Sequence, residues 1–126
     1  MRTIEQIKFL EKMKETDKKV IVEGMNDKNA LKKLGVNNLL DISGKATYSV
    51  IEKLMTDNTS EVIILTDFDR EGVKKFKELA KLLNHNGIKT DDNMRKRFRQ
   101  IFRIIKIEEL NYFIKNQMPL GNFHVI

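Results

Sequence analysis

Three acidic residues alternate with other residues directly after an apolar run: Asp67, Asp69 and Glu71 follow the stretch EVIIL at residues 61–65. Carboxylate oxygens are the ligands that Mg²⁺ prefers in proteins. Residues two apart face the same side of an extended segment, so Asp67 and Asp69 can present their carboxylates to one ion. The alternative is a plain acidic turn in which Asp69 caps the following helix. The pattern by itself leaves the metal site and the helix cap both open.

A further acidic residue, Glu23, ends an earlier strand pattern. Glu23 and Gly24 follow KKVIV, a β-branched apolar run that is typical of a buried strand in a parallel sheet. In such sheets, ligands bind outside the carboxyl ends of the strands. If the strands before Glu23 and Asp67 are neighbours, their acids project from one edge of the sheet. The combination therefore favours a metal site over a solvated turn.

The elements that must position these acids alternate along the chain. The strand patterns are KKVIV, NLLDIS, EVIIL and a short fourth, IKT, and apolar residues at helical spacing fill the stretches between them. This alternation predicts an α/β fold with a parallel sheet. An amphipathic helix at residues 3–15 precedes it, and a basic helical segment at residues 92–116 follows it. The inward residues of the first helix are predicted to be Ile4, Ile7, Leu10 and Met13.

The positive charge of the chain is concentrated near its C-terminal end. The formal net charge is +6, and most of the excess falls after residue 93. Such a patch suggests a polyanionic partner, most commonly nucleic acid, and a solvated helix face is the alternative. The apolar stripe of this segment is predicted to be core: Phe98, Ile101, Phe102 and Ile105. The basic residues predicted to contact nucleic acid are Lys28, Lys45, Arg70, Arg95, Arg97, Arg99 and Arg103.

The composition excludes several classes of protein. The sequence contains no cysteine, which excludes disulfides and cysteine zinc sites. No apolar run approaches the roughly 20 residues that a membrane span needs, and charges interrupt the N-terminal apolar residues. We therefore expect a cytoplasmic protein with neither a membrane partner nor a secretory signal. With 126 residues, one domain is predicted.

Two motifs together resemble a known family. VIVEGMNDKNALKKLG followed by VIILTDFDREG is similar to the Toprim domain of topoisomerases, primases and several nucleases. That family has Glu-Gly after its first strand and Asp-x-Asp after a later one. Glu23-Gly24 matches the first motif, and Asp67 and Asp69 match the second. The resemblance covers roughly residues 18–90 and implies a single Toprim domain over the whole chain, residues 1–126.

Further residues resemble particular branches of the family. Glu71 and Gly72 complete the Asp-x-Asp-x-Glu-Gly motif of type IA topoisomerases, but Val73 stands where those enzymes have another acidic residue. EGMNDKNAL resembles the Glu-Gly-x-x-Asp opening of the Toprim nucleases that mature 5S rRNA, which adds Asp27. ISGKATYS, with Gly44, resembles the loop after their second strand. The chain is most similar to the small stand-alone Toprim proteins of archaea and bacteria.

The resemblance implies a Toprim-like, Rossmann-like fold: a central, mostly parallel four-stranded sheet with helices on both faces. It also implies Mg²⁺-assisted chemistry on a phosphodiester bond, with Mn²⁺ as the alternative metal. Carried over by position, Asp67 and Asp69 bind the metal, and Glu23 completes the metal shell or acts as general acid/base. As general acid/base, Glu23 needs a pKa raised by burial beside other carboxylates. Glu71 is a secondary ligand or a first-turn acid of the next helix.

Three hypotheses about function follow. The first is a Mg²⁺-dependent nuclease that acts on RNA rather than DNA, as in 5S rRNA maturation. The second is a non-catalytic nucleic-acid-binding module of a larger complex, and the third is a structural protein with a relic acidic site. Topoisomerase chemistry is not expected, since the two tyrosines, Tyr48 and Tyr112, lie on predicted helices at core spacing.

Overall fold

The computed structural model describes residues 3–117 of the chain, without the side chains of Phe113 and residues 115–117. The predicted domain boundaries at residues 1 and 126 lie outside the described residues. None of the helices in the described part is both long and apolar enough to cross a bilayer. The elements are α1 (Ile4–Glu15), β1 (Lys19–Val22), α2 (Met25–Lys33), β2 (Leu39–Asp41), α3 (Thr47–Thr56), β3 (Glu61–Ile64), α4 (Arg70–His85), β4 (Lys89–Thr90), α5 (Asp92–Phe102), a 3₁₀ helix (Ile107–Glu109) and α6 (Leu110–Gln117).

The four strands form one parallel sheet in the order β2-β1-β3-β4. In its register, Ile21 of β1 pairs with Leu40 of β2 on one side and with Ile64 of β3 on the other. The prediction of an α/β fold with a parallel sheet is confirmed. Because β1 and β3 are neighbours, the residues that follow them leave the sheet at the same edge.

The core lies in two layers, one on each face of the sheet. Successive side chains of a strand point to opposite faces, so Val20 and Val22 join one cluster and Ile21 joins the other. The first cluster contains residues of α1, α2, α5 and the C-terminal turns. The second contains residues of α3 and α4. Helices therefore cover both faces, as the Toprim-like fold implies.

The first helix buries a different face from the predicted one. Leu10 and Met13 are buried as predicted, but Ile4 is 72% exposed and Ile7 is 45% exposed. Phe9 is buried in their place, because α1 packs on α5 and its ring contacts Phe98 at a centroid distance of 6.0 Å.

The basic C-terminal segment ends its first helix earlier than predicted. Arg103 has φ 53° and ψ 42°, a left-handed conformation that stops α5 at Phe102. Phe98, Ile101 and Phe102 are buried as predicted. Ile105 was predicted to continue the stripe, but it lies beyond the helix and is exposed.

Candidate functional site

Acidic residues follow three neighbouring strands at the carboxyl edge of the sheet. Glu23 comes directly after β1, Asp41 is the last residue of β2, and Asp67 lies three residues after the end of β3. Leu65 extends the pairing past β3, since its N–H donates to the carbonyl of Ile21 at 2.8 Å. The parallel arrangement therefore brings acids from all three strands to one place.

Asp27 is the buried member of this group. It lies in the first turn of α2, is 8% exposed, and its carboxylate accepts no hydrogen bond from residues 3–117. Burial, as the largest cause, and the charges of nearby acids together raise the pKa of Asp27 to about 7. In decreasing order of effect, those acids are Asp67, Glu108, Asp41 and Glu23. The charges of four other acids, three of them at the carboxyl edge of the sheet, thus act on Asp27.

Two glycines let the backbone take the shape that this arrangement needs. Gly24, the N-cap of α2, has φ 156°, where a side chain is strained, and Asp27 Oδ2 lies 3.5 Å from the position of a β-carbon. At Gly72, a β-carbon would overlap the backbone of Asp67. Glycine is therefore favoured at position 24 by its backbone conformation and required at position 72 by the close approach of the Asp67 backbone.

Each aspartate of the Asp-x-Asp motif accepts a backbone hydrogen bond with one carboxylate oxygen. Asp67 Oδ1 accepts a hydrogen bond from the N–H of Ile107 at 2.8 Å. Asp69 Oδ1 accepts from the N–H of Gly72 at 2.8 Å and caps α4, which confirms the predicted helix cap. Asp69 Oδ2 lies 3.6 Å from Lys106 Nζ. The cap and a metal-binding role use different oxygens, so they are compatible.

The two glutamates of the matched motifs lie nearer to solvent. The Glu23 side chain is 39% exposed, and its Oε2 lies 3.4 Å from Lys75 Nζ of α4. The burial that a general acid would need is therefore not found at Glu23 but at Asp27. Glu71 is exposed in the first turn of α4, where a negative charge interacts favourably with the helix dipole.

The predicted three-carboxylate site is not preassembled. No group of three or more acidic or histidine side chains in the described part of the chain is arranged to hold a metal ion. In the described structure Glu23 pairs with Lys75, Asp67 accepts from the Ile107 N–H, and Asp69 caps α4 and pairs with Lys106. Carboxylate oxygens are nevertheless suitable ligands for Mg²⁺, which binds one or two protein carboxylates and keeps several water ligands.

Arg95 was predicted to contact nucleic acid, and the structure corrects this prediction. It is 6% exposed and lies between the rings of Phe68 and Phe76, at 4.5 and 4.4 Å from their centroids. Its guanidinium donates to the carbonyls of Ile64, Thr66 and Asp67 at 3.1, 2.8 and 3.1 Å. Burial lowers the pKa of Arg95 to about 10, so it stays charged at neutral pH. Through its hydrogen bonds to the carbonyls of Thr66 and Asp67, Arg95 fixes the backbone of the Asp-x-Asp loop.

The other predicted basic residues do not form one patch. Arg97 lies over the ring of Phe9 at 5.8 Å, beside α1, and its Nε is buried without a hydrogen-bond partner in the described part. Arg99 lies 5.7 Å from the Phe68 ring, next to the acidic loop. The residues with exposed side chains are Lys45, Arg70, Arg99 and Arg103, and Lys28 is partly exposed.

A groove beside the acidic loop contains Arg70, which was predicted to contact nucleic acid, and two basic residues that sequence reasoning missed, Lys74 and Lys77. Its lining consists of Phe68, Asp69, Arg70, Val73, Lys74, Lys77 and Glu78. Arg70, Lys74 and Lys77 lie one helical turn apart on α4, a spacing that was visible in the sequence. The groove leads directly to Asp69, with basic side chains along one wall.

Asp41 and Glu108 are the acids that sequence reasoning missed. Asp41 could have been found as the residue ending the second predicted strand. Burial alone would raise the pKa of Asp41, but hydrogen bonds from Ser43 and Gly24 and the charge of Lys45 together lower it. Glu108 lies in the 3₁₀ helix, far along the chain from the other acids, and no local pattern marked it.

Comparisons with known proteins agree with this architecture. The family model described as Toprim domain matches residues 18–101. A UPF0292 protein of Methanocaldococcus jannaschii is 38% identical over 85 residues, which are 67% of this chain and 66% of that protein, just under two thirds. A UPF0292 protein of Pyrococcus abyssi is 36% identical over 105 residues, 81% of this chain and 78% of that one.

A solved structure from Aquifex aeolicus is also similar. It is 32% identical in sequence, superposes with a TM-score of 0.75, and covers 86% of this chain and 99% of its own. The family model matches most of the chain, and the matched residues contain Glu23-Gly24, Asp67, Asp69 and the strands that position them. The chain belongs to the Toprim domain family.

Proposed function

We propose that the protein is a Mg²⁺-dependent nuclease that cuts phosphodiester bonds in RNA. Membership of the Toprim family gives the general context of metal-dependent function on nucleic acids. The nuclease activity and the preference for RNA are our step beyond that context. The observation that carries the proposal is that Glu23, Asp41 and Asp67 end or follow three adjacent parallel strands at one edge of the sheet, where the side chain of Asp27 is 8% exposed.

The gathered acids fit a divalent cation because a cation would offset their mutual repulsion. In this proposal Asp67 and Asp69 hold the ion, through the oxygens that the Ile107 N–H and the helix cap leave free. Glu23 stands beside them, and Glu71 remains a first-turn acid. When bound, the ion neutralises negative charge on the phosphate that is attacked. Mn²⁺ has the same preference for oxygen ligands and is the alternative metal.

The chain's own residues have separate tasks in this proposal. Arg95 and Ile107 fix the loop that carries Asp67, so that the carboxylate is oriented before the substrate arrives. Glu23, exposed and paired with Lys75, is placed to accept a proton from water or from an attacking hydroxyl group. Glu23 is therefore the proposed general base, a role in which the carboxylate acts in its charged form and does not need the burial that a general acid needs.

The substrate backbone lies, in this proposal, in the groove beside α4. Arg70, Lys74 and Lys77 provide positive charge along its wall, and Arg99 provides more next to Phe68. A polyanion in this groove is led to Asp69 at its end. Each phosphate contact on a single strand contributes roughly 0.7 to the slope of log K against log salt.

A second candidate function is a nucleic-acid-binding module without catalysis. The observation that favours it is that the acids lack a ready three-ligand arrangement in the described residues, while Lys75 and Lys106 already pair with two of them. In a non-catalytic module those lysines would stay paired with Glu23 and Asp69, and nucleic acid would bind without being cut.

A cleavage assay separates the two functions. Labelled structured RNA and DNA of the same sequence are incubated with the protein and Mg²⁺, Mn²⁺ or EDTA. We expect metal-dependent cleavage of RNA that Asp67→Asn and Glu23→Gln abolish. Asp57→Asn is the matched control, because Asp57 is an exposed aspartate that pairs with Lys53 at the end of α3, away from the acidic edge. Cleavage should be unchanged in that variant.

The result against the nuclease is absence of cleavage with every metal on both substrates. RNA binding that persists in Asp67→Asn, but is lost in a combined Arg70→Glu and Arg99→Glu variant, then supports the binding module. Arg97→Glu is the control for charge reversal, because Arg97 lies beside α1 and not at the groove.

A further inference from the structure

The segment of residues 103–109 passes along the acidic edge, and we call it the edge segment. It begins after residue 101, where the match to the Toprim family model ends. Ile104 and Ile107 are buried in the core cluster, which anchors the segment at both ends. Between and beside them, Lys106 and Glu108 are exposed. The segment is thus a fixed turn that presents charged side chains at the candidate site.

Three contacts join the edge segment to the Asp-x-Asp loop. The N–H of Phe68 donates to the carbonyl of Ile105 at 2.6 Å, and the N–H of Ile107 donates to Asp67 Oδ1 at 2.8 Å. Lys106 Nζ lies 3.6 Å from Asp69 Oδ2. The first two contacts use the backbone and orient the loop. The third uses a side chain that is 54% exposed and can leave without disturbing the turn.

The turn itself is held independently of the loop. Glu109 Oε2 accepts hydrogen bonds from the N–H groups of Ile105 and Lys106, at 3.2 and 2.7 Å. Substituting the exposed side chains of Lys106 or Glu108 therefore leaves these backbone contacts in place. Charge at the site can be varied through these two residues with little effect on the fold.

We propose that the edge segment sets the affinity of the site for divalent cations, with Lys106 occupying Asp69 until a cation displaces it and Glu108 attracting the cation. This inference rests on the proposed function, because it takes Asp67 and Asp69 as the cation ligands. An ammonium group and a divalent cation compete for the same carboxylate, so removing the ammonium favours the cation. Glu108 is exposed and directly follows Ile107, whose N–H donates to Asp67 Oδ1, so its negative charge lies beside the site and has the opposite effect.

The expected effects are moderate. A unit charge within about 5 to 7 Å of a divalent ion, in solvent at physiological salt, changes the affinity of that ion by roughly fivefold. Lys106→Gln should therefore bind Mn²⁺ about fivefold more tightly than the wild type, and Glu108→Gln about fivefold more weakly. Lys106→Arg keeps the charge and should remain close to the wild type.

The test measures Mn²⁺ binding to the purified full chain by electron paramagnetic resonance, without nucleic acid. Lys53→Gln is the matched control: its side chain is also 54% exposed and pairs with one aspartate, Asp57, at 3.2 Å on α3. That variant makes the same change in net charge and should leave Mn²⁺ affinity unchanged. Thermal unfolding of all variants checks that the fold is intact.

The outcomes separate this inference from the proposed nuclease. Equal Mn²⁺ affinity of Lys106→Gln and the wild type overturns the role of the edge segment, as does an equal effect of Lys53→Gln. If no variant binds Mn²⁺, this inference and the metal dependence of the proposed function both fail. If Mn²⁺ binding shifts as expected but no substrate is cut, the inference stands and the nuclease does not.

Discussion

Asp27 offers a direct test of how tightly the acidic edge is assembled. Its pKa is raised from 3.8 to about 7, by burial first and then by the charges of neighbouring acids. Between these two values the folded protein keeps a proton that the unfolded chain releases. Stability therefore falls as pH rises through this window, and the full cost is present above pH 7. Asp27→Asn, which carries no charge, should escape that cost.

The size of the effect follows from the shift. A change of about three pKa units corresponds to at most about 4 kcal/mol of unfolding free energy. At pH 5, part of the interval between the two pKa values already lies below the working range. From pH 5 to 8, the wild type should therefore lose about 2 to 3 kcal/mol more unfolding free energy than Asp27→Asn. The stability advantage of the variant should grow as pH rises.

Urea unfolding followed by circular dichroism, at several pH values from 5 to 8 in EDTA, measures this difference. Asp57→Asn is the control, since Asp57 is exposed, and its advantage over the wild type should not grow with pH. Parallel stability curves for the wild type and Asp27→Asn would refute the idea that Asp27 is buried among repelling acids. Added Mg²⁺ should reduce the difference if the acids bind the cation.

Three further predictions concern the backbone around the site, each measured by urea unfolding. Arg95→Met leaves buried carbonyls without donors and should cost about 3 kcal/mol, whereas Arg99→Met, at an exposed position, should cost less than about 0.5 kcal/mol. Gly72→Ala should destabilise by about 2 kcal/mol despite alanine's better helix propensity, because its β-carbon overlaps Asp67. Arg103→Gly should stabilise by about 1 kcal/mol, since φ is 53°; a loss there would contradict the left-handed cap.

The sheet and the placement of its acids could be predicted from local patterns. When an acidic residue follows a strand pattern, it is predicted to lie beyond the end of that strand. If the strands are parallel, it also lies at the carboxyl edge of the sheet, together with the residues that follow the other strands. Glu23 and Asp67 came from that rule, and Asp41 would have come from it too. Which residues follow a strand is a property of the nearby sequence, so no knowledge of packing was needed.

Packing partners could not be predicted in the same way. The segment RKRFR contains three arginines, each two residues from the next, and only one of them is buried. Arg95 is the buried arginine because the carbonyls of Ile64, Thr66 and Asp67 lie within hydrogen-bond distance of its guanidinium. For a similar reason α1 buries Phe9 rather than Ile7, since the choice depends on where α5 lies. Such choices depend on distant parts of the chain.

The Asp-x-Asp loop itself combines the two cases. Its sequence motif is local, but three of its backbone polar groups pair with residues far along the chain: Arg95 donates to the carbonyls of Thr66 and Asp67, and the carbonyl of Ile105 accepts from the N–H of Phe68. Ile107 then decides which oxygen of Asp67 remains free. The motif therefore identifies the residues that can contact a ligand, whereas α5 and the edge segment determine the orientation of the loop that carries their carboxylates.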